Sequence, residues 1–276
     1  MSPAPQQMAT ADGQVVCAVG QGTWYLGDDP GARSEEIAAL RAGIEAGLTL
    51  VDTAEMYGGG RSEDLVGEAI GPVREQVYLV DKVLPSNASR RGTIQACERS
   101  LQVLGTDWID LYLLHWPGPH PEAETIAAFE ELIERGLIRS WGVSNFDPDD
   151  LAGLPGTPLV NQVLYNPARR GVEVDLLPTH RSANITTMAY SPIEQGRLLD
   201  DPVLGSVARA RGVSVVQVLI AWAVRAGGVI AIPKASSVAH VEENAAALQL
   251  HLDPQDLAAI DAAFPAPAHP VPLEIL

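Results

Sequence analysis

The sequence predicts an α/β fold, a single (β/α)8 TIM barrel with parallel strands and an active site at the C-terminal face. Short apolar runs alternate with longer amphipathic segments from residue 15 to residue 264. Eight such runs occur, and nearly continuous hydrophobicity is typical of parallel strands that are covered on both faces. The length of 276 residues is ordinary for one barrel of this kind. We therefore interpret 1–276 as a single domain.

The predicted elements follow from these runs in chain order. The strands are assigned to 15–20, 48–52, 77–82, 109–115, 138–145, 159–162, 185–190 and 228–234. The helices between them are assigned to 34–47, a segment opened by Ser62, 90–105, 124–136, 171–184, about 201–211, about 214–226 and 238–248. Ser34 is a plausible N-cap, and Gly47 and Gly105 end their helices. Pro178 is expected to interrupt the helix that follows the sixth strand.

The two ends of the chain lie outside this alternation. Residues 1–14 are predicted to form an N-terminal segment, and 265–276 a short Pro-rich C-terminal tail. The main competing fold is a doubly wound sheet. The strand count of eight argues against it, and so does the lack of a strand followed by a GxGxxG turn and a helix.

Composition excludes several classes of function. The formal charge of −17 repels phosphate backbones, so we expect no nucleic-acid partner. Cys17 and Cys97 give neither a metal-binding spacing nor a disulfide framework, and they are consistent with a reducing compartment. The N-terminus lacks the pattern of a signal peptide, and no apolar run is long enough for a membrane helix. These observations predict a cytoplasmic protein.

A polar or aromatic side chain stands where each predicted strand ends. In chain order these residues are Trp24, Asp52, Lys82, His115, Ser144 with Asn145, Gln162, Tyr190 and Lys234. The C-terminal ends of the strands form one mouth in a barrel of this type, and active sites are found there. The sequence therefore predicts a single site assembled from all eight strands.

Four of these groups suggest one kind of chemistry. Tyr57 lies in the turn after Asp52, and its free pKa of about 10 is too high for easy proton donation at neutral pH. The ammonium of Lys82 would lower that pKa, and Asp52 would keep Lys82 charged. A neutral His115 could orient a carbonyl oxygen. The set suits protonation of a carbonyl that gains negative charge, and a bound hydride donor must supply the electrons.

At this point the sequence resembles the aldo-keto reductase family, in particular its small bacterial members of the methylglyoxal and aldehyde reductase type. The matching blocks run in order over residues 15–264. They are GQGTW, VDTAEMYG with SEDLVGEAI, VDKV, IDLYLLHWP, WGVSNF, NQVLYNP, AYSPIEQGRL and AIPKASSVAHVEENAAAL. The resemblance implies a (β/α)8 barrel that binds NADPH and reduces small aldehydes and ketones, with 2-oxoaldehydes such as methylglyoxal among them. It assigns Tyr57 as the general acid.

The resemblance also implies roles for the cofactor residues. Ser144, Asn145 and Gln162 would hold the nicotinamide carboxamide, and Tyr190 would stack on the ring. Lys234 and Ser236 would approach the 2′-phosphate, with Glu243 and Asn244 near the adenine. The implied cofactor set also includes Gly22, Thr23, Trp24, Ser191, Ile193 and His240.

One departure from the family pattern concerns the choice of cofactor. Many members carry Arg where this chain has His240. Arg would grip the 2′-phosphate permanently, whereas His is at most partly charged at pH 7. Because Lys234 remains, we expect NADPH to be preferred, with some use of NADH.

The expected substrate pocket is rimmed by large side chains. They are Trp24, Tyr25, Met56, Trp116 and Phe146. Aromatic walls suit small or flat carbonyl compounds. The short C-terminal tail suggests an open and permissive pocket.

Alternatives remain open on the sequence alone. The same barrel could serve as a cofactor sensor without catalysis, or Lys82 could form a Schiff base in an aldolase. His115 and His120 lie close together, but they lack the further ligands of a metal site. No helix has a surplus apolar face, so we expect a monomer without protein or membrane partners.

Overall fold

A computed structural model describes residues 7–10 and 13–276 of the chain. Of the predicted N-terminal segment 1–14, residues 1–6 and 11–12 lie outside the described part. Two short strands, β1 (Gln7–Ala9) and β2 (Val15–Cys17), pair as an antiparallel hairpin. This hairpin is separate from the main sheet.

Eight strands form one parallel sheet, and their order follows the chain without reversal. They are β3 (Gln21–Gly22), β4 (Leu50–Asp52), β5 (Tyr78–Val83), β6 (Ile109–Leu114), β7 (Ile138–Ser144), β8 (Val160–Leu164), β9 (Thr186–Tyr190) and β10 (Val229–Ala231). A doubly wound sheet would reverse its strand order part-way, so this order rules out the competing fold. Isolated parallel bridges also pair Val19 with Ala231 and Gly22 with Lys234.

Ten α-helices are found in the described residues. They are α1 (Arg33–Glu45), α2 (Arg61–Ile70), α3 (Arg90–Leu104), α4 (Glu122–Glu134), α5 (Pro148–Gly153), α6 (Leu176–Ala183), α7 (Pro202–Arg211), α8 (Val215–Val224), α9 (Val238–Ala246) and α10 (Pro254–Ala263). Several begin at a side-chain cap: Ser89 accepts a hydrogen bond from the main chain of Gly92, and Ser214 forms a capping box with Gln217. Gly105 ends α3 in the left-handed conformation, as predicted.

Three local predictions were wrong. The apolar run at 15–20 gives a strand of the hairpin, and the first strand of the parallel sheet is Gln21–Gly22 instead. Ser34 is not an N-cap, because α1 already begins at Arg33. Pro178 lies in the first turn of α6, where the missing N–H has no helical acceptor, so it does not interrupt that helix.

Apolar side chains cover both faces of the sheet. Along β6, Leu111 and Leu113 belong to one buried cluster, whereas the alternating Tyr112 and Leu114 belong to another. Side chains alternate between faces along a strand, so the two clusters lie on opposite sides of the sheet. The second cluster contains the buried faces of the helices, for example Trp222 of α8. This arrangement explains why the strand sequences are apolar almost without interruption.

No single helix of the described residues is long and apolar enough to cross a membrane. The pair α7 and α8 passes that test of length and composition only when taken together, and it is bent by 93°.

Candidate active site

A cavity of about 690 Å³ is lined by most of the site residues that were predicted from the ends of the strands. Asp52, Ser144 and Tyr190 are the last residues of β4, β7 and β9. The predicted residues that line the cavity are Gly22, Thr23, Trp24, Tyr25, Asp52, Met56, Tyr57, His115, Trp116, Ser144, Asn145, Gln162, Tyr190, Ser191, Ile193 and Lys234. Chain segments far apart in sequence therefore meet around one space.

Lys82 lies at the centre of a buried hydrogen-bond network. Its Nζ atom donates to Asp52 Oδ2 at 2.8 Å, to the carbonyl oxygen of Thr53 at 2.8 Å and to the Tyr57 hydroxyl at 3.2 Å. Neither charged side chain of the pair exposes more than 2% of its surface. Gln162 Nε2 donates to the second carboxylate oxygen of Asp52 at 2.7 Å. Every oxygen of that buried carboxylate thus has a partner, as a buried charge requires.

The turn after β4 brings Tyr57 to Lys82. Tyr57 opens a short 3₁₀ segment, Tyr57–Gly59, and Gly58 and Gly60 adopt positive φ angles of 59° and 94°. Residues with a Cβ rarely adopt these conformations, so the glycines allow the chain to fold back into α2. Glu55 in the same turn accepts hydrogen bonds from the main chain of Leu84 and the side chain of Asn87. These bonds tie the turn to the loop that follows Lys82.

The pKa of Tyr57 differs from the sequence expectation. Burial raises the pKa of this phenol, and the positive charge of Lys82 opposes the rise without cancelling it. The expected net lowering is therefore wrong, because desolvation of the phenolate outweighs the ammonium. The pKa of Lys82 is raised: burial is the largest single effect and lowers it, but the charges and hydrogen bonds of Asp52 and Tyr57 together outweigh burial. Tyr57 is thus protonated and Lys82 charged at neutral pH.

His115 is held in its neutral form. Burial, together with the charge of Lys82, lowers the pKa of His115 to about 2. Its ring meets that of Tyr57 edge-on at 6.0 Å between centroids. The Nδ1 atom is buried and has no hydrogen-bond partner within the described part of the chain. A neutral imidazole at this place can hydrogen-bond a carbonyl group without bringing a second positive charge.

Ser144, Asn145 and Tyr190 form a polar wall next to these groups. Asn145 has a positive φ of 61°, and its Nδ2 atom donates to the His115 carbonyl oxygen and to Ser144 Oγ, each at 3.1 Å. The Tyr190 hydroxyl donates to Asn145 Oδ1 at 2.9 Å. These hydrogen bonds join the three side chains into one connected network.

Some predicted residues lie away from the cavity. Phe146 is buried in the main apolar cluster, where Asn161 holds its main chain from both sides, and it does not line the pocket. Ser236, His240, Glu243 and Asn244 follow Lys234 along the chain but are not among the lining residues. His240 is exposed on the surface, and Asn244 is buried in α9.

Sequence reasoning missed several cavity residues. Ile275 and Leu276 line the cavity, although they belong to a tail for which no contact was predicted. Pro192, Gln195, Gly196, Ile232 and Pro233 complete the lining. The carbonyl of Thr53 was also missed, because main-chain atoms leave no signal in a sequence. The sequence shows that residues 275 and 276 are apolar. It contains no signal that predicts the path of the C-terminal tail back to the cavity.

The comparisons with known proteins agree with this geometry. The model of the aldo/keto reductase family matches residues 18–264. The chain belongs to the aldo/keto reductase family. It is 50% identical to the methylglyoxal reductase YeaE of Escherichia coli, over 98% of this chain and 99% of that protein. It is 36% identical to a glyoxal reductase of Bacillus subtilis, over 83% of each chain.

Solved structures of this family share the fold. An aldo/keto reductase from Klebsiella pneumoniae in complex with NADP and acetate is 45% identical and superposes with a TM-score of 0.95. The match covers 98% of this chain and 99% of that one. A thermostable aldo-keto reductase in complex with the inhibitor epalrestat is 35% identical, with a TM-score of 0.87. This match covers 93% of the present chain and 98% of the thermostable enzyme's chain. The resemblance seen in the sequence blocks is confirmed.

Proposed function

We propose that this enzyme reduces small aldehydes and ketones, including 2-oxoaldehydes such as methylglyoxal, with NADPH and with Tyr57 as the general acid. The observation that carries the proposal is the contact of the Tyr57 hydroxyl with Lys82, which is itself paired with Asp52. The named functions of the relatives and the NADP and NADPH complexes of similar structures support the same activity.

The site residues fit an NADP cofactor. The cavity is large enough for the nicotinamide end, and the amide groups of Asn145 and Gln162 line it next to Ser144. These residues would hold the carboxamide, while the ring of Tyr190 offers a flat surface for stacking. Lys234 is exposed at the cavity edge, where its charge can meet a phosphate. When bound, the cofactor supplies the hydride.

The acid and the orienting groups act on the carbonyl oxygen of the substrate. The Tyr57 hydroxyl donates its proton to this oxygen as negative charge develops there. Lys82 stabilises the phenolate that remains, because its ammonium lies 3.2 Å from that oxygen. His115 stays neutral and orients the carbonyl by a hydrogen bond. Asp52 keeps Lys82 protonated and in place, which also makes Lys82 a poor nucleophile for a Schiff base.

The substrate pocket is expected to favour neutral compounds. Trp24 stacks on Tyr25 with ring centroids 4.6 Å apart, and Trp116 and Met56 lie on the same cavity. Lys234 is the one cation among the described lining residues, and we place it at the phosphate end. A small carbonyl compound without charge therefore fits the wall around Tyr57 best.

We further infer that the sheet closes into a barrel of one domain, with the site at its C-terminal face. The bridges between Val19 and Ala231 and between Gly22 and Lys234 support closure. The positions of Asp52, Ser144 and Tyr190 at strand ends support that face. We also propose a cytoplasmic monomer, and light scattering after gel filtration would measure its mass.

Replacement of Tyr57 by Phe tests the acid. We expect Tyr57→Phe to bind NADPH with an affinity close to that of the wild type, measured by fluorescence titration. Its turnover of methylglyoxal, followed by NADPH absorbance, should fall by at least about a hundredfold, since general acid catalysis contributes about 10²–10⁴. Turnover that survives in Tyr57→Phe would mean that another group donates the proton.

Tyr112→Phe is the matched control. Tyr112 is fully buried on the face of the sheet that packs against the helices. Its hydroxyl has no hydrogen-bond partner in the described part of the chain. Loss of that hydroxyl breaks no hydrogen bond, so this variant should keep both cofactor binding and turnover.

A parallel titration of the wild type with NADH would show how far the 2′-phosphate is recognised.

A further inference from the structure

The C-terminal segment contacts two separate parts of the chain, the loop after β8 and the end of β9. Glu274 Oε1 lies 2.6 Å from Arg169 Nη1. The main chain of Leu276 lies near the Tyr190 hydroxyl: burial raises the pKa of Tyr190, and Leu276 opposes that rise. Between these contacts, Ile275 and Leu276 line the cavity that holds Tyr57. The segment therefore forms part of the wall beside the reacting groups.

Arg169 also binds the loop that begins immediately after Tyr190. Its Nε and Nη2 atoms both donate to Glu194 Oε1, at 3.1 and 2.9 Å. Glu194 is 4% exposed as a side chain, and its other oxygen accepts a hydrogen bond from Asn166 at 2.7 Å. A single guanidinium thus joins the C-terminal segment to a buried carboxylate in the loop.

The loop needs these contacts because its backbone is strained. Ser191, Glu194 and Gln195 have positive φ angles of 48°, 49° and 55°. Each such conformation costs a residue other than glycine about 1–2 kcal/mol. Asn166 Nδ2 also donates to the carbonyl oxygen of Ser191 at 2.9 Å. The side chains of Asn166 and Arg169 therefore hold the loop in a shape that the backbone alone would not keep.

We propose that Arg169 is a positioning residue that couples the C-terminal segment to the loop 191–197, so that the apolar wall at Ile275 and Leu276 and the cofactor side of the cavity assemble together. Loss of the Arg169–Glu274 pair releases the wall and leaves the loop in place. Loss of Arg169 itself releases both, and it also leaves Glu194 buried without its main cation. This inference rests on the proposed function for its kinetic consequences.

Three variants separate these contacts. Glu274→Gln removes only the pair with the C-terminal segment. Arg169→Met removes both contacts of the guanidinium. Asp261→Asn is the matched control, since Asp261 pairs with the neighbouring Arg170 at 2.7 Å, is also exposed, and does not line the cavity.

The first measurement is steady-state kinetics with methylglyoxal together with NADPH titration. Glu274→Gln should raise the KM for the carbonyl substrate about two- to fivefold with an unchanged Kd for NADPH, because an exposed ion pair is worth up to about 1 kcal/mol. Arg169→Met should raise KM further and also speed NADPH release. Asp261→Asn should change neither quantity.

Salt dependence distinguishes positioning from a merely structural role. The Arg169–Glu274 pair is partly exposed, so added salt should weaken it and raise the wild-type KM. In Glu274→Gln this additional salt effect should disappear. A structural role alone would lower the folded fraction and kcat, and would leave KM and its salt dependence as in the wild type. Equal KM values and equal salt dependence in Glu274→Gln and wild type would overturn the proposal.

Hydrogen exchange of the peptide 265–276 tests the contact without any turnover. The main-chain amides of this peptide should exchange faster in Glu274→Gln and Arg169→Met than in the wild type. Equal protection in all variants would refute the coupling even if the enzyme is active. A wild type that exchanges as expected but reduces no carbonyl compound would refute the proposed function and leave the coupling intact.

Discussion

Two acidic side chains lie behind Lys82, on the opposite face of its strand. Asp81 precedes Lys82 in β5 and is fully buried, and Glu63 of α2 is 3% exposed. Burial raises the pKa of Asp81 well above its usual value, and the nearby charge of Glu63 raises it further. Burial likewise raises the pKa of Glu63, and neither carboxyl oxygen of Asp81 has a hydrogen-bond partner in the described part of the chain. Two buried carboxyl groups near each other disfavour each other's ionised form, in addition to the effect of burial.

This pair predicts how stability depends on pH. A carboxyl group with a raised pKa in the folded state stabilises the fold fully below its unfolded pKa of about 4, and this contribution is lost as the pH rises through the folded pKa. Asp81→Asn removes the group that titrates most strongly. We expect its Tm relative to the wild type to increase steadily from pH 5 to pH 8 in thermal melts. A Tm difference that does not vary with pH would contradict the raised pKa of Asp81.

At the scale of elements, closely packed helices depend on residues that lack a side chain. A Cβ atom on Gly67 of α2 would stand 2.5 Å from the carbonyl oxygen of Leu104, the last residue of α3. This oxygen is part of a backbone that cannot swing aside. The contact between these helices therefore requires glycine at position 67.

Gly67→Ala should destabilise the protein by about 1–3 kcal/mol, the usual cost of overpacking. Gly153→Ala is the control, because Gly153 lies in α5, has an ordinary φ angle, and a methyl group added there would meet no atom within 4 Å. Alanine favours a helix over glycine by up to about 1 kcal/mol, so the control should be neutral or slightly stabilising. Urea unfolding curves measure both differences. Equal stability of the two variants would show that α2 and α3 shift apart without cost.

The sequence predicted elements better than it predicted tertiary contacts. The strand before Asp52 and the helix that ends at Gly105 could be assigned because periodicity and end signals act locally. The placement of Phe146 in the core could not, since it depends on Asn161, which comes from the next strand. The net pKa direction of Tyr57 was missed for a similar reason: burial, which dominates it, is a property of the folded chain.

At the scale of the whole molecule, the strongly acidic surface must still accept an anionic cofactor. The formal charge is −17, and Lys234, which we propose meets a phosphate of the cofactor, is exposed and lines the cavity. Cationic side chains near the cavity must therefore attract the phosphates of the cofactor, while the net negative charge of the rest of the protein repels them. We therefore expect the choice between NADPH and NADH to depend strongly on Lys234.

Thermal stabilisation by the cofactor measures this choice. A ligand that binds only the folded state stabilises it by about 2.7 kcal/mol when its concentration is a hundred times its Kd. We expect NADPH to raise the Tm of the wild type more than an equal concentration of NADH does. In Lys234→Met the difference between the two nucleotides should shrink, mostly through a smaller effect of NADPH. An unchanged difference would assign recognition of the 2′-phosphate to other residues.

The bridges from Val19 to Ala231 and from Gly22 to Lys234 also constrain how the chain is made. The two strands they join come from the beginning and the end of the chain. On the ribosome the first strand leaves the exit tunnel with one of its neighbours still unsynthesised. Its unpaired edge must wait through nearly the whole of translation, and such edges are prone to aggregate. The yield of active protein should therefore depend on how this waiting intermediate is protected during synthesis.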